Sequence, residues 1–402
     1  MPPVLSRPAI FRMLVSLLVA ELAGLSRRVI APDVAAAWGP ELPIGEAGLG
    51  LDSLERVGIA SAVSRLFQVH EVGVEDMLLA LPTLGEWAEL VERVMQEGTT
   101  GLTFLTSGST GEPRPCPHPW ATLEAEGEFW ASGLAGRRKV VQLVPAHHIY
   151  GFLFTALLPD RLGLPVVDGR ALSPGRLRLA LEPGSLLVGY PLGLRRLLAE
   201  LPALPPGVLV LSSTAPLPDA THRALLAQGA QGVRQIYGSS ETAGLATRSD
   251  PDAPFTLLPR WRRGAGGDAA SVVEVATGRE WPLPDCAEWV GEAALRLLGR
   301  KDTAVQVGGI NVFPARVAER LATHPAVAAC AVRLDGTLPE PRLKAFIVPA
   351  GTSDVRTLSD ELDRWCRATF DAPSRPVHFR FGAALPRSPL GKPADWEAAP
   401  EF

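Results

Sequence analysis

The sequence predicts a multidomain chain: an all-α four-helix bundle, then an α/β domain, then a small α+β domain. Three observations predict it. Apolar residues recur at helical spacing through the first 98 positions. From Gly101, short apolar runs alternate with amphipathic stretches, as in a parallel sheet with crossing helices. After Gly299–Arg300 strands and helices mix on a smaller scale. At 402 residues the chain has room for two or three domains, and the expected boundaries are 1–98, 99–300 and 301–402.

In the first part, one helix is expected over roughly Ile10 to Arg27, followed by a long loop through Gly39, Pro40, Pro43 and Gly45. A second helix starts at Asp52–Ser53, with either residue able to cap it, and runs to Phe67. A short helix follows near Val74 to Leu81. A last one covers Thr83 to Met95, opened by a Thr83/Glu86 capping box. The run Met13–Leu25 resembles the apolar part of a leader, but it is short for a bilayer and Glu21 interrupts it, so it reads as a bundle helix. In the second part, GLTFL, VVQLVP, SLLVGY, VLVLSS and VRQIYG are the expected strands. Helices are expected near Trp120–Leu134, Phe152–Leu162, Leu192–Leu201 and Asp219–Gln228.

Composition excludes some functions. The net charge is -4 and no Lys/Arg run occurs, which argues against nucleic-acid and membrane partners. The four cysteines, Cys116, Cys286, Cys330 and Cys366, lack metal or disulfide spacing, so a reducing cytoplasm is expected. Lysine occurs only at 139, 301, 344 and 392, so a lysine inside a chemical motif stands out.

Ser53 lies in LGLDSLERV, at the start of a helix after a long loop. A helix N-terminus favours a phosphate group, so this hydroxyl suits attachment of a phosphodiester-linked arm; it also suits an ordinary capping role. With its four-helix surroundings, the Asp-Ser-Leu segment resembles an acyl or peptidyl carrier protein. That resemblance implies phosphopantetheine on Ser53 and a phosphopantetheinyl transferase as partner.

The loop Thr106, Ser107, Gly108, Ser109, Thr110, Gly111, Glu112, Pro113, Arg114 follows GLTFL. Its backbone N–H groups and hydroxyls can meet phosphate oxygens, and Arg114 adds a fixed charge. The spacing is not that of a Walker loop, and taken alone the loop is also an ordinary flexible turn. Four further strings change its weight: Pro145-Ala-His-His-Ile-Tyr-Gly151, Ser213-Thr-Ala-Pro-Leu217, Tyr237-Gly-Ser-Ser-Glu-Thr242 and Leu385-Pro-Arg-Ser-Pro-Leu-Gly-Lys392. Together and in this order they resemble the adenylate-forming superfamily, over roughly residues 101 to 395.

The resemblance implies an α/β adenylation core and a mobile C-terminal lid; this sequence departs from the family in having only the carrier-like unit before the phosphate loop, so a shortened core is expected. It implies ATP binding by the 106–111 loop and Arg114 (where the family usually has Lys), by Thr214 and Ala215 beside adenine, and by Tyr237 and Ser240. Asp285 is implied for the ribose, although the family's usual Tyr-x-Thr-Gly-Asp context is not kept. Arg300 is implied at the domain boundary and Asp302 at the hinge. Glu241 would help hold Mg²⁺, for which one carboxylate beside the phosphates suffices. His148, Ile149, Tyr150 and Gly238 would line the acyl pocket. Lys392 would be catalytic, contacting the acyl carboxylate and the α-phosphate. Ile149 stands where amino-acid-activating relatives place an Asp, so an acid without an α-amino group, aryl before aliphatic, is the expected substrate.

The function expected is therefore ATP-dependent formation of an acyl-adenylate and transfer to the carrier thiol, in cis or in trans within a homodimer, feeding downstream biosynthetic enzymes of secondary metabolism. Two alternatives remain open here. In one, free CoA is the acceptor and the carrier is degenerate. In the other, the chain is a non-catalytic nucleotide-binding docking module.

Overall fold

The computed structural model describes residues 5–25, 27–106, 113–265, 270–300, 304–351, 354–386 and 396, with backbone only at 299 and 300. The chain divides into two compact units. One is Met1–Thr106, Arg114–Leu283 and Ala287–Arg296; the other is Ser107–Pro113, Pro284–Cys286 and Leu297–Phe402.

The first unit opens with helices α1 (Arg7–Leu25), α2 (Pro32–Ala36), α3 (Ser53–Phe67), α4 (Met77–Ala80) and α5 (Leu84–Glu97). Helix α1 presents Ile10, Met13, Leu14, Leu17, Leu18 and Leu22 on one buried stripe, packed against α3 and α5. By length and apolar composition this 19-residue helix could cross a membrane, which the shorter run considered above could not; here its stripe faces the protein interior. Asp52 caps α3 and Thr83 caps α5, each in a reciprocal capping box with the Glu three residues on. Ser53 is thus the first helical residue, not the cap, and is exposed.

The helices expected in the first 98 residues are present, but they do not form a bundle of their own. The Ser6 backbone N–H donates to Asp160 at 2.6 Å, and Arg12 donates to the Thr155 carbonyl at 2.6 Å. Through such contacts they belong to the same compact unit as the sheet that follows. The local pattern could not report this, because it depends on partners more than a hundred residues away. Leu14→Ala is expected to cost about 2–5 kcal/mol in a single unfolding transition that also abolishes activity. A denaturant titration followed by fluorescence and by turnover checks it: an appended bundle would unfold apart from the active core.

Strands β1 (Gly101–Leu105) and β2 (Pro115–Pro119) form an antiparallel hairpin. Helix α6 (Trp120–Leu134) leads into β3 (Lys139–Gln142). Next comes a continuous helical stretch, α7 (Ile149–Phe152), a π-helical turn (Leu153–Leu157) and α8 (Leu158–Leu162), in which the Thr155 hydroxyl donates to the Gly151 carbonyl at 2.7 Å. There follow β4 (Val166–Asp168), α9 (Pro174–Ala180), β5 (Ser185–Gly189), α10 (Pro191–Glu200), β6 (Leu209–Ser212), α11 (Asp219–Ala227), β7 (Gly232–Ser239), β8 (Ala243–Arg248) and β9 (Phe255–Leu257). A small antiparallel sheet is made by β10 (Trp261–Arg263), β11 (Ser271–Glu274) and β12 (Glu280–Pro282); β13 (Asp285–Trp289) and β14 (Ala294–Arg300) come after it.

The main sheet has the order β13-β14-β9-β8-β7-β6-β5-β3-β4. Strands β4, β3, β5, β6 and β7 run parallel, so their carboxyl ends share one edge. One core under this sheet gathers Val141, Leu143, Leu187, Leu194, Val210 and Leu225.

The second unit contains the hairpin β15 (Val305–Val307) and β16 (Ile310–Val312), then α12 (Pro314–Leu321) and β17 (Val327–Asp335). It continues with β18 (Arg342–Pro349), α13 (Val355–Thr369) and β19 (Pro376–Phe381). Leu321, Leu343, Ile347, Leu358 and Leu362 are the centre of its core, which matches the small α+β domain expected.

Candidate active site

In an open parallel sheet, ligands bind outside the carboxyl ends of the strands. The segment 145–151 follows β3, the segment 213–217 follows β6, and 237–242 ends β7. Three strings far apart in the chain thus meet at one edge.

The hairpin β1–β2 holds the ends of the Ser/Thr/Gly loop together. The Thr106 N–H donates to the Arg114 carbonyl at 2.9 Å, and the Arg114 N–H donates to the Thr106 hydroxyl at 3.0 Å. Arg114 is exposed at the loop's exit. Ser107, Gly108, Ser109, Thr110 and Gly111 lie outside the described residues. The base of the hairpin is fixed by Gln68, the cap at the end of α3. This residue is buried and holds φ 55°, a region that non-glycine residues seldom occupy. Its Oε1 accepts from the Gly101 N–H at 2.6 Å and its Nε2 donates to the Thr103 hydroxyl at 3.2 Å. A helix expected in a carrier thus supports the β1–β2 hairpin.

The turn between β7 and β8 carries Ser240, Glu241 and Thr242. Its backbones approach so closely that a Cβ on Gly238 would lie 2.0 Å from the Ala243 carbonyl oxygen, so Gly238 is needed for the turn itself. Glu241 is exposed. Its negative charge reaches β2, where burial first and Glu241 second push the Cys116 thiol up to about 11. The turn that carries Glu241 is joined to the β1–β2 hairpin through His118. The Ser240 carbonyl accepts from His118 Nε2 at 2.7 Å, and burial lowers the His118 pKa, keeping it neutral. The Thr242 carbonyl accepts from Arg260. Behind the turn, the buried Glu126 carboxylate accepts from the Gly244 N–H at 3.1 Å and from Trp130 Nε1 at 3.2 Å, and lies 3.5 Å from Arg260. Burial raises the Glu126 pKa and Arg260 opposes that.

After β6, Thr214 holds φ 76°, a strained value for a β-branched residue and of the kind found at ligand turns. The Ser213 hydroxyl donates to the Ile236 carbonyl at 2.9 Å, tying this turn to β7 just before Tyr237. Thr214 is exposed, while Ala215 and Tyr237 are half-buried. The exposed Glu241 carboxylate, the hairpin joined to its turn and these strand-end turns offer what a magnesium nucleotide requires: one carboxylate and room for phosphate oxygens.

The 145–151 segment is folded around Gly151, where a Cβ would lie 1.8 Å from the Pro145 carbonyl oxygen. Ser16 of α1 holds it from below. Its hydroxyl accepts from the Ala146 N–H at 2.9 Å and is bonded to His147 Nδ1 at 2.8 Å. Ile149 and Tyr150 are buried. The Tyr150 hydroxyl donates to the Gly189 carbonyl at 3.1 Å, so this side chain braces the 145–151 segment against β5. His148 keeps an exposed edge, but burial against the packed wall and then the Arg170 guanidinium push its pKa down to about 4.

This shift has a sign that can be checked. The fold holds His148 neutral, so the stability it contributes is complete above the ordinary value of 6.5 and is lost as pH falls from there towards about 4. Thermal unfolding of the wild type is expected to drop across that window, and His148→Gln to flatten part of the drop. An equal drop in both proteins would contradict it.

Asp285 begins β13 in the second unit, and Arg300 ends β14 with its side chain outside the description. Asp302 and Lys392 lie outside the described residues. No group of three or more metal-ligating side chains occurs among the described residues. The expectations named neither Ser16, Gln68, His118, Glu126 nor Arg260.

A family model described as AMP-binding enzyme matches residues 62–296, and one described as AMP-binding enzyme C-terminal domain matches residues 316–392. The first match begins inside α3, within the segment expected to be a separate carrier. The chain is 40% identical over 399 residues to a Rhodobacter capsulatus protein named 4-coumarate–CoA ligase, covering 96% of this chain and 99% of that one. It is 39% identical over 391 residues to a Halorhodospira halophila protein of the same name, with the same coverage. A solved o-succinylbenzoate CoA synthetase from Bacillus subtilis superposes with a TM-score of 0.62 at 18% identity, covering 95% of this chain and 91% of that one, which is a likeness of fold.

Proposed function

We propose, from the premise that this chain belongs to the AMP-binding enzyme family and is an AMP-forming acid–thiol ligase, that it joins an aryl acid of the 4-coumarate kind to free coenzyme A. The observation that carries this reading is the 40% identity, along nearly the whole of both chains, to a protein named for that reaction. The buried, apolar Ile149 supports an acid without an α-ammonium group, since no carboxylate stands there to pair with one.

The acid's carboxylate attacks the α-phosphorus of ATP and pyrophosphate leaves. The thiol of CoA then attacks the acyl carbon and AMP leaves. Two anions must meet in the first step, so the site has to offset charge. Arg114 and the 106–111 loop would bind the phosphates, and Lys392 would serve the acyl carboxylate and the α-phosphate. Glu241 would hold Mg²⁺, which neutralises phosphate charge when bound. Residues 301–402 would act as the mobile lid that exposes the adenylate to the thiol between steps.

Transfer to an arm on Ser53 remains the weaker reading. Its support is the exposed hydroxyl at the start of α3. Against it, α1 and α3 are built into the site through Ser16 and Gln68, so they are not free to swing as a carrier must.

ATP–pyrophosphate exchange across a panel of acids tests the substrate class. Hydroxycinnamic acids are expected to give the highest exchange and amino acids none. Strongest exchange with an amino acid or a long aliphatic acid would overturn the reading. Ser53→Ala is expected to leave thioester formation unchanged.

A further inference from the structure

We propose that His118 and Arg260 are positioning residues that clamp the metal-binding turn, fixing the Glu241 carboxylate by holding the carbonyl on each side of it. The inference rests on the reading of Glu241 as the magnesium carboxylate.

Glu241 is a single exposed residue in a tight turn. An exposed carboxylate on a free turn would lose rotational and backbone freedom each time it bound a metal, and that entropy would oppose binding. The structure removes the backbone part of this freedom beforehand. The Ser240 carbonyl, just before Glu241, accepts from His118 Nε2 at 2.7 Å. The Thr242 carbonyl, just after it, accepts from Arg260. These bonds hold the 240–241 and 242–243 peptide planes, and the Thr242 N–H, which donates to the Ser239 hydroxyl at 3.3 Å, holds the 241–242 plane between them, so φ and ψ at residue 241 have little room to change.

The two arms come from different places. His118 lies on β2, the outgoing strand of the β1–β2 hairpin, so one arm joins the hairpin to the metal turn. A carbonyl only accepts, so the His118 proton must sit on Nε2. Arg260 immediately precedes β10 and is itself held, 3.5 Å from Glu126 and 3.3 Å from Glu274. Glu126 also accepts from the Gly244 N–H, which fixes the start of β8 from the same point. The turn needs such support because Ala243 holds φ 54°, a left-handed conformation that the surrounding structure must impose.

The test is calorimetric binding of a non-hydrolysable ATP analogue, with and without Mg²⁺, to the intact enzyme. The quantity read is the gain in affinity on adding Mg²⁺. Glu241→Gln is expected to abolish most of that gain. His118→Phe, which keeps a ring but no donor, is expected to reduce it by about 10–100-fold while leaving metal-free nucleotide affinity and the KM for the acid unchanged. His118→Gln, whose amide nitrogen can reach the Ser240 carbonyl, is expected to restore it. A purely structural His118 would move all three quantities together. If Glu241→Gln lowers the gain but His118→Phe does not, the clamp is wrong. If Glu241→Gln changes nothing, the reading of Glu241 is wrong and the clamp falls with it. Should His118→Phe fail to fold, the double variant Glu126→Gln with Arg260→Met, which removes the donor of the other arm without orphaning a buried carboxylate, reads the same quantity, and an undiminished gain there overturns the proposal.

Discussion

Replacing Arg260 with methionine is expected to destabilise the protein by about 3–5 kcal/mol, because it leaves a buried carboxylate without its counter-charge. The Glu126 side chain is 1% exposed and Arg260 13% exposed, so water cannot take over the lost partner. The hydrogen bonds that Glu126 accepts from Gly244 and Trp130 remain, which is why the loss should stay within that range. The double variant Glu126→Gln with Arg260→Met removes the orphaned charge and is expected to regain much of the loss. Urea unfolding of the two variants checks it. A single variant as stable as the wild type would mean that the pair is not buried as described.

Lys392→Ala is expected to reduce ATP–pyrophosphate exchange by about 10²–10³-fold, the usual cost of removing one group that stabilises charge as it develops. Lys392 lies outside the described residues; its role rests on the Leu385–Lys392 string and on the scarcity of lysine in the chain. The effect should fall on the first half-reaction. Thioester formation from chemically made acyl-adenylate and CoA should survive, since the phosphorus has already been attacked. Undiminished exchange would remove Lys392 from the mechanism.

Much of this molecule is legible in its sequence, in a specific way. The cap at Asp52, one of the two residues offered, the capping box at Thr83, the apolar runs that became β3, β5 and β6, and the strings at the strand ends are local patterns, and each falls in the element expected. Short elements such as α2, β4 and α9 went unseen because three to seven residues carry too little periodicity. The separate N-terminal bundle was expected for a related reason. Helical spacing says that a helix has an apolar face, not which partner covers it.

The residues that shape the site from behind are hidden in the same way. His118 meets Ser240 across 122 positions and Ser16 meets His147 across 131. No local string announces either pairing. Glu126 did leave a trace. It lies on the α6 face that buries Leu123, Gly127 and Trp130, whereas Glu124 and Glu128 do not. A charge on a buried stripe signals a buried partner.

The central claim is that the activated acyl group leaves the protein on free CoA. The most direct measurement incubates the purified enzyme with ATP, Mg²⁺, 4-coumarate and CoA. Thioester and AMP are quantified by liquid chromatography, and the intact protein is weighed after treatment with a phosphopantetheinyl transferase. The account predicts CoA thioester and AMP in equal amounts and no mass gained at Ser53. An acylated phosphopantetheine arm on Ser53, with no CoA thioester in solution, would contradict it.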